Sequence, residues 1–278
     1  VLTSAPECYE GVVKGTSDIG QSCFAYTRGR FPLMEASDIP GYPVNAIITT
    51  RVTDDLYRKF TPEELADTHV LYLHAHIPGA IFTVKKPVRT LEDLKGLRLR
   101  CTGLAAKIAE ALGAVPVAMP KGEQYEALRK GTVDGTFASP NELKGWSVAE
   151  VANYCTLCGE AGGYVTGMFV VMNLDKWNSL PKDIQKVFTE VSAEWVVYSG
   201  ERWNAIEVEG YNFGKEHGHT FIGLAPEEKT RWVEAIKPLS DDYVAAMEAQ
   251  GLPGREVLDY RQQLIEKYSK MYPPLKFE

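Results

Sequence analysis

Residues 90–138 read TLEDLKGLRLRCTGLAAKIAEALGAVPVAMPKGEQYEALRKGTVDGTFA, and they alternate short apolar runs with helical patterns. A capped turn at 90–96 leads into a predicted strand at 97–101. Further strands are predicted at 114–119 and 134–138, and the helices between the strands end in glycine. Strands that alternate with helices in this way are typical of α/β proteins. The segment therefore predicts the α/β fold class.

The same alternation extends over the rest of the chain. One helical pattern stands out, because it covers about 37 residues and would be about 55 Å long at 1.5 Å per residue. A helix of that length is longer than a small lobe is wide, so we expect it to contact two lobes. The predicted elements are a helix at 6–14, a strand at 18–24, a surface connection at 29–43, a helix starting at Thr61, a strand at 70–77, a β-rich run at 164–172, the long helix at 181–217, and helices starting near Pro226, Ser240 and Gly254.

Length and charge limit the classes of function. At roughly 150 residues per domain, a chain of 278 residues predicts two lobes or one large α/β unit. A formal net charge of −7 argues against nucleic acid as the main partner, because phosphate binding requires a basic surface. No apolar stretch approaches the roughly 18 residues that indicate a membrane-spanning helix.

The cellular compartment stays open at this point. The first residues, VLTSAPE, have neither the basic nor the apolar segment of a signal peptide, so the chain is cytoplasmic or its secretion signal has been removed. An odd number of cysteines leaves at least one thiol free, and one or two disulfides, among them Cys8–Cys23, remain open. The five cysteines are Cys8, Cys23, Cys101, Cys155 and Cys158.

Two segments 116 residues apart share one pattern. Residues 7–18 (ECYEGVVKGTSD) and 123–134 (EQYEALRKGTVD) are identical at seven of twelve positions. In each, a helix ends at glycine, and a short turn then leads to Asp before a strand. The match is either a generic signature or a sign of two lobes of related build. In the second case residues 20–26 and 136–141 would face one cleft, because open α/β sheets bind ligands beyond the carboxyl ends of their strands.

Several motifs together resemble the solute-binding proteins of tripartite ATP-independent periplasmic (TRAP) transporters, the DctP-like family. The resemblance covers nearly the whole chain. The motifs are KGTSDIG (14–20), RGRFPLMEASDIPG (28–41), LEDLKGLRLRCTG (91–103), LGAVPVAMPKGEQYEALRKGTVDG (112–135) and MNLDKWNSLPKDIQKVF (172–188).

The resemblance implies a two-lobed fold of the periplasmic-binding-protein type, with hinge strands and one long helix spanning both lobes. It also implies a first β-α-β part of lobe one ahead of Val1, which this sequence does not contain. We expect lobe one to comprise residues 1–77 and 168–206. Lobe two is then expected to comprise residues 78–167 and 207–278.

For function, the resemblance implies a periplasmic receptor rather than an enzyme. The receptor would capture a small organic acid, a carboxylate or a sulfonate, and deliver it to the membrane subunits of a TRAP transporter. We expect a monomer that uses no cofactor or metal. In this family an Arg ends the strand after the DLKG segment and pairs with the ligand carboxylate, and that position is Arg100 here. Some members place another Arg upstream, where this chain has Gly-Ala-Ile at 79–81, so a clamp of two arginines is not expected.

The spacing of residues supports a similar set of ligand contacts. Arg98 and Arg100 lie on one side of a strand, and Arg100 is nearer its carboxyl end, where a guanidinium can pair with a carboxylate. Polar residues follow each copy of the repeat, at 20–26 and 136–141. His76 and the β-rich run at 164–172 lie where we expect the chain to cross between the lobes. The predicted substrate-binding residues are Arg100, Ser139, Asn141, Gln21, Tyr26, Tyr164, Thr166 and His76.

Two other classes of protein stay open. An α/β enzyme could use the Cys155/Cys158 pair, which has the spacing of redox motifs, or the His74/His76 pair, although no third metal ligand with suitable spacing is visible. A receptor should keep these cysteines away from its cleft. A sensory binding protein is the other alternative, and neighbouring genes would distinguish it from a transport receptor.

Overall fold

The computed structural model describes residues 2–277 and contains two separate β-sheets. The strands are β1 (Ile19–Cys23), β2 (Thr68–Ala75), β3 (Ala80–Thr83), β4 (Arg98–Cys101), β5 (Val115–Ala118), β6 (Gly135–Ala138), β7 (Tyr154–Leu157), β8 (Gly167–Asn173) and β9 (Thr220–Gly223). The helices are α1 (Cys8–Val13), α2 (Ala46–Phe60), α3 (Leu91–Leu94), α4 (Ala105–Ala111), α5 (Gln124–Arg129), α6 (Glu142–Gly145), α7 (Leu174–Ser179), α8 (Lys182–Glu216), α9 (Pro226–Ile236), α10 (Pro238–Glu248) and α11 (Gly254–Ser269).

The first sheet has three strands in the order β1-β8-β2, and both pairings are antiparallel. Its core is aromatic on the side of α1. Tyr9, Phe24, Phe31 and Phe169 contact one another there, with ring centroids 4.8–6.0 Å apart. Aromatic rings of this size remove a large apolar area from water, and this burial stabilises the first sheet.

The second sheet has six strands in the order β5-β4-β6-β3-β7-β9. Strand β4 runs parallel to β5 and β6, so the carboxyl ends of these three strands meet at one edge. Fully buried Leu99, Ile108 and Trp232 belong to the core between this sheet and helices α4 and α9. The parallel arrangement confirms the α/β prediction made for residues 90–138.

Helix α8 has 35 residues and packs against both halves of the molecule. Two glycines permit the close approach. A Cβ atom at Gly200 would lie 2.7 Å from the Ile47 Cα atom of α2, and one at Gly210 would lie 2.1 Å from the Pro140 carbonyl oxygen. These glycines lower the helical propensity of the segment, yet they mark the places where α8 contacts each half. The predicted long helix is therefore confirmed.

The last two helices pack on the first half of the molecule. Val244 of α10 and Leu264 of α11 share a buried cluster with Ile48 and Leu56 of α2. The expected lobe boundaries assigned all of residues 207–278 to lobe two. We propose that residues 243–269 belong to lobe one instead, since their buried apolar side chains pack there.

One predicted helix is wrong. No α-helix starts at Thr61, because the chain leaves α2 at that residue in the left-handed conformation (φ 38°) and forms only a 3-10 turn at Glu63–Leu65 before β2. The preceding helix α2 was not predicted, because the sequence analysis assigned no element between residue 43 and Thr61. Its sequence AIITTRVTDDLYRKF is rich in β-branched residues, which favour strands. Asn45 nevertheless caps it by accepting a hydrogen bond from the Ile47 backbone N–H.

Smaller differences concern the second sheet and the cysteines. Strands β3, β7 and β9 were not predicted, although they have the same length of four residues as the predicted strands β4, β5 and β6. The β-rich run at 164–172 becomes a strand only from Gly167. All five cysteines are free thiols, so the disulfide Cys8–Cys23 that the sequence left open is not formed.

We expect Gly210→Ala to destabilise the protein, because the added Cβ atom would overlap the Pro140 carbonyl of the loop below α8. Overpacking of this kind costs about 1–3 kcal/mol. Denaturant unfolding followed by circular dichroism measures the change. Gly145→Ala is the matched control, since nothing lies within 4 Å of its Cβ position. Equal stability of the two variants would show that α8 does not need this close approach.

Candidate functional site

A cavity of about 450 Å³ lies between the two sheets, at the carboxyl ends of β1, β4, β5 and β6. All of the predicted site residues line it. They are Gln21, Tyr26, His76, Arg100, Ser139, Asn141, Tyr164 and Thr166. The structure therefore brings the whole predicted set together, and their contact with a ligand stays a prediction.

The internal repeat accounts for two walls of the cavity. In the first copy α1 is followed by Gly15 (φ 72°) and β1, and in the second copy α5 is followed by Gly131 (φ 71°) and β6. Gln21 and Tyr26 follow the first copy, and Ser139 and Asn141 follow the second. The two copies thus have the same local structure and contribute residues to one cavity, as the interpretation of two related lobes predicted.

Arg100 lies in β4 with only 2% of its surface exposed. Its Nε donates a hydrogen bond to the Met119 carbonyl oxygen at 3.1 Å. Its Nη2 is buried without any hydrogen-bond partner, and none of the ion pairs among the described residues includes it. Arg98 differs sharply, because it is exposed and forms two hydrogen bonds with the Asp134 carboxylate. An unpaired guanidinium in a cavity is a binding group for an anion.

Ser139 and Asn141 form a network with helix α8. The Asn141 side-chain amide donates to Ser139 Oγ and to Glu207 Oε1, both at 2.6 Å, and its backbone N–H donates to Glu207 Oε2 at 2.9 Å. Glu207 is fully buried, and burial raises the pKa of its carboxyl to about 7. Because both amide hydrogens of Asn141 already have acceptors, this residue positions the loop on α8.

Aromatic rings form the wall at the crossing between the sheets. Residues 76–79 leave the first sheet and residues 163–166 return to it, and the Gly79 N–H donates to the Tyr164 carbonyl oxygen at 2.8 Å. The His76 ring lies 4.9 Å from Tyr164 and 6.0 Å from Trp203 between centroids. Such a wall suits the flat apolar body of a ligand.

The paired histidines are neutral and already bonded. Trp203 Nε1 donates to His74 Nδ1 at 3.0 Å, so this nitrogen carries no proton, because an indole can only donate. His74 Nε2 lies 3.1 Å from the Gln21 side-chain amide, and His76 Nδ1 bonds the Ile77 carbonyl at 2.5 Å. Burial lowers the pKa of both rings to about 4. Among the described residues, no group of three His, Cys, Asp or Glu side chains could hold a metal ion.

Cys155 and Cys158 lie away from this cavity. Cys155 belongs to β7, and neither thiol contributes to the cavity wall. Burial raises the pKa of the Cys158 thiol to about 12 and that of Cys155 well above its usual value. A protonated, buried thiol is a poor nucleophile. The pair therefore has neither the position nor the ionisation that redox catalysis needs.

The sequence analysis missed three important residues of the cavity wall. Lys121 and Glu142 line it as an ion pair, and Trp203 lines it from α8. Lys121 follows a parallel strand at its carboxyl end, a position that could have indicated it. Two other tryptophans differ from Trp203: Trp177 stacks on His69 with ring centroids 3.5 Å apart, and Trp195 is 42% exposed.

Two lobes with a cavity between their sheets, lined by an unpaired guanidinium, are the architecture of a solute-binding protein. The sequence model of the family described as "DctP: Bacterial extracellular solute-binding protein, family 7" matches residues 1–246. The chain belongs to this family. It is accordingly a periplasmic solute-binding protein of the TRAP type and not an enzyme. No helix within residues 2–277 has the length and apolar character of a membrane span.

Individual relatives agree on the fold and differ in ligand. The chain is 30% identical over 173 residues to the C4-dicarboxylate-binding periplasmic protein DctP of Rhodobacter capsulatus, over 61% of this chain and 51% of the relative. It thus spans about half the length of the curated relatives it matches. A TRAP solute-binding protein of Desulfovibrio salexigens is 33% identical with a TM-score of 0.84, covering 100% of this chain and 86% of the other. One from Rhodoferax ferrireducens, in complex with copurified benzoate, is 29% identical with a TM-score of 0.92, covering 97% and 85%.

We expect His74 to stay neutral until the pH falls to about 4. The stability that this neutral ring contributes is present above pH 6.5 and is lost as the pH falls from 6.5 towards 4, since the unfolded state takes up the proton first. Trp203→Phe should raise the pKa of His74, because Nδ1 then loses its donor and can accept a proton. NMR titration of the imidazole signals, assigned with His74→Gln, measures both values. Identical titrations of the wild-type protein and Trp203→Phe would refute this assignment of protons.

Proposed function

We propose that the protein is the receptor of a TRAP transporter and that its ligand is a small organic acid with an aromatic ring. Arg100 anchors the carboxylate, and the two lobes close over the ring. The observation that carries this proposal is the buried Nη2 of Arg100, which has no hydrogen-bond partner among residues 2–277. A buried donor without a partner costs about 1–3 kcal/mol, so a ligand that supplies an acceptor gains this energy on binding.

The walls of the cavity support an aromatic ligand. Beyond Arg100, the lining includes the rings of Tyr26, Trp146, Tyr164 and Trp203. A cavity of about 450 Å³ has the size of an ordinary small-molecule site. The Rhodoferax ferrireducens protein with benzoate bound is also the more similar of the two reported structures by TM-score. The Rhodobacter capsulatus relative is named for C4-dicarboxylates, so sequence identity alone does not choose between the two ligand types.

Lobe closure supplies the second part of the mechanism. The crossing segments 76–79 and 163–166 each contribute a cavity residue, His76 and Tyr164, so a ligand that contacts them also contacts the hinge. Ligand shifts a conformational equilibrium only by binding one state more tightly. The closed state has that advantage here, because only there do residues from both sheets surround the same ligand.

Delivery to membrane subunits completes the proposed role. The periplasmic location and the family both support a receptor that passes its acid to a TRAP permease, and we expect this receptor to work as a monomer. A sensory role would use the same cavity, and the two roles differ in whether ligand uptake depends on this protein. Uptake of radiolabelled benzoate by cells with and without the gene distinguishes them.

We expect Arg100→Ala to weaken benzoate binding by about 2–5 kcal/mol, the usual cost of losing one partner of a buried charge pair. Isothermal titration calorimetry with benzoate measures the loss. Arg98→Ala is the matched control, because it removes the same side chain two residues earlier on an exposed face. Undiminished affinity in Arg100→Ala would remove Arg100 from the proposed role.

The ligand-free protein provides an independent check on Arg100. Arg100→Met should raise the free energy of unfolding without ligand by about 1–3 kcal/mol, because an unsatisfied buried donor is replaced by an apolar side chain. The same variant should bind no benzoate. Denaturant unfolding and calorimetry on one preparation measure the two effects. A destabilised Arg100→Met would instead indicate a structural role for the guanidinium.

A further inference from the structure

A second cation lies beside Arg100. Lys121 follows β5, the parallel neighbour of β4, and both side chains line the cavity. Lys121 is not free to bind a ligand, because its Nζ lies 2.5 Å from Glu142 Oε2 and 3.3 Å from Gln124 Oε1. The side chains of Lys121 and Glu142 are 17% and 6% exposed, so the pair is almost completely removed from solvent.

The carboxylate of Glu142 is fixed by several further contacts. Gln124 Nε2 donates to Glu142 Oε2 at 3.0 Å, and the Ser139 backbone N–H donates to Oε1 at 3.3 Å. Gln124 is held in turn by Thr136, whose hydroxyl donates to Gln124 Oε1 at 2.8 Å. Burial opposes ionisation of Glu142, yet Lys121 and Gln124 keep the pKa of the carboxyl below its usual value. The carboxylate is thus ionised and held in place without any ligand.

The side chains that line the cavity carry a net charge of one positive unit. Among the described lining residues, Arg100 and Lys121 are cations, Glu142 is an anion, and His76 is neutral because burial lowers its pKa to about 4. One positive charge remains, and it belongs to Arg100. A ligand with one carboxylate balances it. A second carboxylate would meet a cation that Glu142 already neutralises, so it would be buried without a partner of its own, which is costly.

We infer that Glu142 determines the charge of the ligand: by occupying Lys121 it limits the cavity to acids with a single carboxylate. The inference rests on the proposed binding of organic acids at Arg100 and adds a specificity-determining residue to it. Specificity of this kind comes from an unfavourable contact with the wrong ligand as much as from a favourable contact with the right one.

Benzoate and isophthalate (benzene-1,3-dicarboxylate) test the inference, since they share a ring and differ by one carboxylate. We expect the wild-type protein to bind benzoate at least 100-fold more tightly than isophthalate by isothermal titration calorimetry. Glu142→Gln should narrow this ratio at least tenfold, because Lys121 becomes available to the second carboxylate. The double variant Glu142→Gln/Lys121→Met should lose the gain for isophthalate. Glu150→Gln, an exposed carboxylate on the same lobe, should leave the ratio unchanged.

The protonation of Lys121 decides the pH at which the calorimetric titrations are made. Burial lowers the pKa of its amine, Arg100 adds to that effect, and Glu142 opposes it. Without Glu142 the amine is therefore easier to deprotonate, so titrations are made at pH 6 as well as pH 7.5. We expect the gain for isophthalate in Glu142→Gln to be larger at pH 6.

Each outcome decides either the inference or the proposed function. Wild-type protein that binds isophthalate as tightly as benzoate overturns the inference and leaves the proposed aromatic acid receptor intact. A folded Glu142→Gln variant with an unchanged ratio of benzoate to isophthalate affinity also overturns the inference and leaves the proposed function intact. Wild-type protein that binds neither acid overturns the proposed function, and the inference with it. If Glu142→Gln does not fold, Lys121→Gln takes its place, and it should weaken benzoate binding at least tenfold because Glu142 is then free to pair with Arg100. Unchanged benzoate affinity in Lys121→Gln overturns the inference.

Discussion

A buried guanidinium without an anion is the constraint on which this structure depends. Arg100 lies in β4, next to the edge strand β5 of the second sheet, and folding removes it from water without giving Nη2 a hydrogen-bond partner in the part of the chain that the structure describes. The cavity carboxylate closest in kind to a partner, Glu142, forms its ion pair with Lys121 and not with Arg100. In the function we propose, the carboxylate of the ligand supplies the acceptor that Nη2 lacks.

Three turns of helix α8, residues 200–210, contact both lobes and the wall of the cavity that contains Arg100. Gly200 allows α8 to pack against α2, and Asn204 accepts a hydrogen bond from the Ala46 backbone at the start of α2 at 2.7 Å. Trp203 bonds His74 and lines the cavity, while Glu207 and Gly210 hold the loop at 139–141. A shift of α8 relative to either lobe would therefore alter the cavity wall. Helix α8 therefore links the positions of the two lobes to the shape of the cavity wall.

Sequence alone predicted the parts of the molecule that are encoded locally. The repeat ending at Gly15 and Gly131 follows from backbone geometry that glycine permits, so the two walls it builds were found. Helix α2 was missed because its β-branched residues favour a strand. Tertiary packing makes the segment a helix in spite of this preference. Arg100 was found through strand spacing and family resemblance. The Lys121–Glu142 pair was missed because nothing local indicates that residues 21 positions apart meet.

The relatives differ in the ligands for which they are named or with which they were found. Identities of 30% and 29% connect the chain to proteins named for, or found with, a C4-dicarboxylate and benzoate. An arginine that pairs with a carboxylate recognises what these acids share, so it contributes affinity and little discrimination. Discrimination has to come from the groups beyond the carboxylate. In this chain those groups are the aromatic wall and the Lys121–Glu142 ion pair, in which the second cation of the cavity is already neutralised, and on them rests our proposal of a flat acid with one negative charge.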